Sequence, residues 1–222
     1  MEISRSRYGH LLLSALGLSL LILANTGCTG FAAYVLHAWK GNMVPAEFYG
    51  LEGRRVAVVC MSDSISAGPN SVSEMLAAAV HRLLSQNVSD IDLVDRQEIA
   101  DWTDNYDKDR IDPLEIGKGV DAEMIVAIDL MPLKLRDGQT LLRGRADAAV
   151  SVYDLTSDDR EVFSRRPPQI VYPVTSAYSS TDMSLRRFRR RFIAVIAQRL
   201  SRYFYEYDLK EDFARDKPFV GS

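Results

Sequence analysis

The sequence is poor in the residues that most enzymes use for catalysis. Its 222 residues include three histidines and two cysteines, and His10 and His37 precede the region that we expect to fold. It lacks the G-x-S-x-G, H-E-x-x-H, P-loop and G-x-G-x-x-G motifs. His81 has no accompanying serine or cysteine motif, and we interpret it as a surface or boundary residue. We therefore expect a protein that is not an enzyme and that binds no cofactor.

An acidic stretch between residues 90 and 115 is the candidate for a metal site. Calcium prefers oxygen ligands, and Asp107, Asp109 and Asp112 offer three carboxylates. Counted from Asp104, however, the EF-hand position that requires glycine is occupied by Asp109, although Glu115 stands at the twelfth position. The missing glycine argues against calcium, and we predict no metal site.

Long apolar runs are also missing. The run from Leu11 to Ala24 has 14 residues, whereas a membrane-spanning helix needs about 20. Arg5 and Arg7 precede it, and small residues follow it, as in a cleaved secretory signal. The cysteine directly after these small residues resembles a bacterial lipoprotein signal. We therefore expect Cys28 to be acylated as the first residue of the mature protein.

One position departs from this pattern, because Asn25 stands where lipoprotein signals usually have an aliphatic residue. An uncleaved anchor or an ordinary signal peptide is the alternative, since residues 31–39 are apolar again. That second stretch fits either the bilayer interface or a contact with the domain. In every case the basic N-terminus stays in the cytoplasm, and the domain lies beyond the inner membrane.

Composition and turn residues divide the chain into four parts. We assign residues 1–27 to the signal peptide, 28–53 to the lipidated N-terminus and a membrane-proximal tether, 54–207 to a single domain and 208–222 to a tail. Residues 41–53 hold three glycines and a proline, which is typical of a linker. Cys60 lies in an apolar strand and is expected to be a buried free thiol, because free cysteine is usually buried. A Cys28–Cys60 disulfide is the alternative, and it would exclude lipidation.

The patterns within the domain predict an α/β (α+β) fold in the order β-α-β-α-α-β-β-β-α. Ser71, Asp95 and Asp112 are candidate N-caps of three helices. Apolar runs predict short strands at 54–61, 91–94 and 124–130, and longer strands at 140–155 and 160–172. Pro167 and Pro168 predict that the last strand lies at a sheet edge or is bulged, because proline cannot donate to the ladder. A long C-terminal helix follows, with an apolar stripe from Leu185 to Tyr207. We expect a mixed sheet of four to five strands with helices packed on it.

These elements also resemble a known group. The chain resembles small periplasmic lipoproteins in the order of its elements. These elements are a capped helix that ends in glycine, the segment VDAEMIVAIDL, a strand that ends AAVSVYDLTSDDREVFS and a long last helix. Their fold is like that of the curli secretion channel's extracellular domain. The group includes lipoprotein activators of peptidoglycan synthases, an exopolysaccharide-export lipoprotein and the Tol protein's N-terminal domain. Residues 44–59 are similar to uncharacterised planctomycete-type lipoproteins.

The resemblance, which covers residues 44–207, implies a non-enzymatic lipoprotein on the periplasmic side of the cell envelope. It would act through protein–protein contacts in envelope assembly, transport or secretion. We expect its lipid anchor to lie in the outer membrane rather than the inner one. A homo-oligomer is a further expectation, and the extracytoplasmic address argues against a nucleic-acid partner.

The basic cluster of the last helix is the candidate binding surface. At 100° per residue, Arg187, Arg190 and Arg191 lie opposite the apolar stripe. They form either a solvated face or a patch for anionic headgroups, an acidic polymer or an acidic segment of a partner. Arg189 and Arg199 fall toward the stripe and are each expected to need a carboxylate partner.

Two further features leave alternatives open. The loop from Ser62 to Asn70 follows a central strand, where α/β proteins often bind ligands, and it is the candidate site for a small molecule or a glycan. It lacks the lysine and the glycine spacing of a phosphate loop, which favours a plain connection. The aromatic residues between Tyr203 and Tyr207 fit either an interface or the core.

Overall fold

The fold contains a five-stranded sheet and a smaller four-stranded sheet, and the long C-terminal helix packs on the smaller one. The computed structural model describes residues 43–62, 71–106 and 112–209. The helices are α1 (Val72–Asn87), α2 (Arg96–Asp104), α3 (Pro113–Gly119) and α4 (Leu185–Ser201). The strands are β1 (Met43–Val44), β2 (Arg55–Ser62), β3 (Asp92–Leu93), β4 (Met124–Leu130), β5 (Lys134–Asp137), β6 (Leu141–Ala146), β7 (Ala148–Asp154), β8 (Arg160–Arg165), β9 (Ile170–Tyr172), β10 (Tyr178–Ser179) and β11 (Tyr207–Asp208).

The central sheet has the order β3-β2-β4-β7-β8. Strands β3, β2 and β4 are parallel, and β7 and β8 continue the sheet antiparallel. Side chains alternate between the two faces of a strand. Val56 and Val58 accordingly belong to the core that α1 and α4 cover, whereas Ala57 and Val59 belong to the core under α2 and α3. The prediction of a mixed sheet of four to five strands with helices packed on it is confirmed.

The predicted helix starts are confirmed at atomic detail. The Ser71 hydroxyl accepts a hydrogen bond from the amide of Glu74 at 3.1 Å. The Asp95 carboxylate accepts from the amide of Gln97 at 2.7 Å, and the Asp112 carboxylate accepts from the amide of Leu114 at 3.0 Å. Each cap satisfies an amide that has no partner inside the helix.

The two long predicted strands are wrong as single elements. Residues 140–155 form β6 and β7, which belong to different sheets and separate at Asp147. Residues 160–172 form β8 and β9, which are likewise in different sheets, and Pro167 and Pro168 lie between them. Strand β8 is an edge strand, as the prolines predicted. Strands β5 and β10, which were not predicted from the sequence, complete the smaller sheet.

Helix α4 packs against α1 and against strands β5, β6 and β9 of the smaller sheet. Phe188, Phe192, Ile196 and Leu200 are fully buried along one side of it. Phe192 sits directly on Gly144 of β6, where an added Cβ would lie 2.6 Å from the ring. A side chain at position 144 therefore cannot coexist with the present packing of α4.

The end of α4 corrects the predicted apolar stripe. The helix stops at Ser201, so Tyr203 lies beyond its last turn and Tyr207 belongs to β11. Phe204 and Tyr205 are buried, whereas Tyr203 and Tyr207 are half-buried. The ring centroids of Phe204 and Phe163 lie 5.6 Å apart, so this aromatic segment contributes to the core.

The segment expected to be the end of the tether packs on the domain. The amides of Glu47 and Phe48 both donate to the carbonyl of Tyr203, at 2.9 and 3.0 Å. The Phe48 ring lies 5.3 Å from that of Phe163, and Leu51 is buried. The compact unit accordingly begins at Val44 rather than at residue 54.

Several predicted features lie outside the described residues. These are the signal segment, Cys28, residues 63–70 of the candidate ligand loop, Asp107 and Asp109. Among the helices of the described ranges, none is both long and apolar enough to span a membrane.

Candidate functional site

Helix α4 concentrates positive charge in a chain whose net charge is −3. Its 17 residues include no aspartate or glutamate. Its arginines are Arg186, Arg187, Arg189, Arg190, Arg191 and Arg199. Five of the six stand in the N-terminal half, so this half is the most strongly basic surface candidate in the described helices.

The structure places the predicted patch on the side of α4 away from the core. Arg187 and Arg190 are exposed and Arg191 is half-buried. We call these three residues the arginine face. Among the ion pairs formed between described residues, none involves an arginine of α4, whereas Arg55, Arg145 and Arg165 in the strands each have a carboxylate partner.

This arrangement is unfavourable for the helix itself. The N-terminus of a helix carries a partial positive charge and favours acidic side chains in its first turn. Here Arg186 and Arg187 occupy that turn, and the cap is the hydroxyl of Ser184. Arg187 also has like charges three and four residues along, at Arg190 and Arg191, and such pairs are destabilising. These four arginines therefore do not stabilise the N-terminal half of α4.

The carboxylate partners expected for Arg189 and Arg199 are not found among the described residues. Arg199 is exposed, so the prediction that it falls on the apolar side is wrong. Arg189 is half-buried, and its Nε is buried without a hydrogen-bond partner in the described part of the chain.

A groove of about 670 Å³ runs along the junction of the packed helices α1 and α4, and it was not predicted from the sequence. Apolar residues from both helices and charged residues from α1, α2 and α4 line it. The lining residues are Met75, Ala78, Ala79, His81, Arg82, Asp95, Arg96, Arg190, Ile193 and Ala194. The spacing of Met75, Ala78 and Arg82 marks one face of α1, but only the packing of α4 beside it makes a groove.

His81 forms part of one wall of this groove. Its Nε2 lies 3.3 Å from the carbonyl oxygen of Val94, and because a carbonyl only accepts, Nε2 is the protonated nitrogen. Burial lowers the pKa of His81, and the nearby Arg96 lowers it further, against the opposing effect of the bond to Val94. The ring is therefore neutral near pH 7 and anchors α1 to the segment after β3.

The thiol of Cys60 is free in the described structure and half-buried at the end of β2. Burial raises its pKa to about 12, and the carboxylates of Asp129 and Glu74 act in the same direction. The thiolate is the nucleophilic form of cysteine, so Cys60 is unreactive at neutral pH. Nowhere in residues 43–62, 71–106 and 112–209 do three His, Cys, Asp or Glu side chains come together as a metal site would require.

Comparisons with known proteins give likenesses of structure. No protein-family model matches the chain, and no curated protein matches it in sequence. A hypothetical protein from Chlamydia trachomatis has a TM-score of 0.42 and 17% identity, over 74% of this chain and 95% of that one. A lipoprotein from Neisseria meningitidis has a TM-score of 0.42 and 12% identity, over 66% of this chain and 98% of that one. A PelC dodecamer from Paraburkholderia phytofirmans has a TM-score of 0.43 and 10% identity, over 73% of this chain and 96% of that one.

Proposed function

We propose that this protein is a lipid-anchored lipoprotein on the periplasmic side of the cell envelope, in the outer membrane. It acts without catalysis, by binding an envelope protein in assembly, transport or secretion. The observation that supports this best is the composition of α4, which has six arginines, no acidic residue and no ion pair to another described residue. A surface of this kind fits an acidic partner, because guanidinium groups pair well with carboxylates.

The lipid anchor is proposed from the sequence. Cys28 follows a basic start and a short apolar run, and 15 residues lie between it and Val44, where the compact unit begins. A chain of that length spans at most about 55 Å. The anchor therefore leaves the domain close to its own membrane while permitting contact with proteins nearby.

The position of the arginine face favours a protein over the anchoring membrane. The chain enters the domain beside the carbonyl of Tyr203, just beyond the C-terminal end of α4. Arg187 lies 14 residues before the last residue of α4, Ser201, and the rise of 1.5 Å per residue separates them by about 21 Å. The arginine face thus lies toward the end of α4 that is remote from Glu47 and Phe48.

The anchor is tested by metabolic labelling with a palmitate analogue. The wild-type protein is expected to take up the label and the Cys28→Ser variant is not. Equal labelling of both proteins, or labelling of neither, would exclude a lipid at Cys28.

The binding role is tested by pull-down from crosslinked envelopes. The triple variant Arg187→Gln, Arg190→Gln and Arg191→Gln is expected to lose the partner that the wild type retains. The matched control replaces three other exposed cations, Lys134, Arg160 and Arg166, by Gln. Retention of the partner by the arginine-face variant, or equal loss in both variants, would contradict the proposal.

A further inference from the structure

We infer that the groove between α1 and α4 binds an acidic amphipathic helix of the partner protein. The apolar side of that helix would lie on the floor of the groove, and its carboxylates would pair with Arg82 and Arg190. The inference rests on the proposed function, because Arg190 belongs both to the arginine face and to the wall of the groove.

The floor of the groove is apolar and is made largely of small side chains. Ala78 and Ala79 of α1 face Ile193 and Ala194 of α4. Ala194 is exposed and Ala78 is half-buried, so a second backbone can approach both helices closely. Met75, also half-buried, adds a flexible side chain of the kind that adapts to a bound surface.

The charges around the groove are not balanced. Arg96 of α2 already forms an ion pair with Glu74 of α1, and the Asp95 carboxylate caps the N-terminus of α2. Arg82 and Arg190 remain, both exposed and neither in an ion pair with another described residue. They come from different helices, so each wall of the groove presents one cation. Carboxylates on a bound segment would complement both walls.

The form of the groove favours a helix as its occupant. Sites for small molecules have similar volumes, but they are concave and enclose most of the ligand surface. This groove lies open between two helices, as in complexes where an amphipathic helix lays its apolar face between them.

The experiment places a photo-crosslinking amino acid at Ala194 of the full chain in cells. Ala194 lines the groove and is exposed, so the replacement does not disturb the core. Mass spectrometry of the adduct is expected to identify a peptide from another envelope protein, rich in Asp and Glu, with apolar residues three and four apart. Charge reversal by Arg82→Glu should lower the adduct yield at least tenfold. The matched control Arg160→Glu, on the edge strand β8, should leave the yield unchanged at equal protein level.

Other outcomes overturn the inference. These are an adduct with phospholipid, an adduct with a second copy of this chain, a peptide without acidic residues, no adduct at all, or a yield that Arg82→Glu does not alter. The double variant Arg187→Gln and Arg191→Gln, which lies outside the groove, separates the two proposals. If it loses the partner while Arg82→Glu does not, the proposed function stands and the groove fails. If neither loses the partner, both fail.

Discussion

Replacing Arg187 by Glu is expected to stabilise the domain while it removes binding. Arg187 is the third residue of α4, and its amide donates to the Ser184 hydroxyl at 3.4 Å. A glutamate at this position would complete a capping box, in which the acidic side chain reaches back to the amide of the cap residue. The substitution also places a negative charge where the helix dipole favours one.

The size of the gain follows from the charges that surround position 187. A charge in the first turn interacts with the dipole by about 0.3–1 kcal/mol, and a pair three or four residues apart contributes about 0.2–0.5 kcal/mol. Reversal changes the sign of the dipole interaction and of the pairs with Arg190 and Arg191. For the reversal, the low ends of these ranges sum to about 1.4 kcal/mol. Because Arg187 is exposed and screened, we expect about 1 kcal/mol of this. Arg187→Gln, which only removes the repulsion, should gain about half as much.

The assay is thermal and urea unfolding of the full chain in a non-ionic detergent, at low and at high salt. For a domain of this size, about 1 kcal/mol raises Tm by roughly 2–4 °C. The gain should shrink at high salt, because exposed charges are screened. Arg160→Glu, outside any helix, is the control. If Arg187→Glu lowers Tm at low salt, Arg187 has an attractive partner and the argument that the arginine face is uncompensated is wrong.

Three further predictions concern other parts of the molecule. Phe192→Ala should lower the free energy of unfolding in urea by about 3–5 kcal/mol, because the ring is fully buried against Gly144. Gln at all three positions of the arginine face should change it by no more than about 0.5 kcal/mol per site. Equal losses of stability in the two variants would mean that the faces of α4 are misassigned. Burial lowers the pKa of His81, so the folded state prefers the neutral ring and loses stability as the pH falls below about 6.5. His81→Gln, which keeps a donor for the Val94 carbonyl, should flatten that part of the pH profile of urea unfolding, and an unchanged profile would contradict this. Burial raises the pKa of Cys60 to about 12, so its thiol should react with iodoacetamide at pH 8 roughly a thousandfold more slowly in the native protein than in urea. The rates are measured in the Cys28→Ser variant, so that Cys60 is the reacting thiol. Equal rates would show that the thiol is accessible and ionised in the native protein.

The elements that could be predicted from the sequence depend on neighbouring residues. Ser71, Asp95 and Asp112 act within three residues of themselves, so a local pattern is sufficient to locate these helix starts. The central strands are likewise short apolar runs, because helices cover their residues on both faces of the sheet. The arginine face follows from helical periodicity alone, and the structure places Arg187 and Arg190 in solvent, with Arg191 half-buried.

The features that escaped prediction depend on distant contacts. The strand pattern continues through Asp147, and only the pairing of β6 with β9 and of β7 with β4 shows that the chain changes sheets there. Residues 44–53 have the composition of a linker, yet Tyr203 supplies a carbonyl to which two of their amides donate. The groove depends on how α4 lies beside α1, which neither helix determines alone.

The two sides of α4 explain how a helix with this composition remains folded. Its buried side includes Phe188 and Phe192, and truncating even one such ring costs several kcal/mol. The repulsion among its arginines amounts to a few tenths of a kcal/mol for each pair. Burial of these rings therefore outweighs the charge repulsion, and the outward side of the helix can hold a row of cations without loss of the fold. Those cations form no ion pair with another described residue, which supports the proposal that they bind a partner of complementary charge.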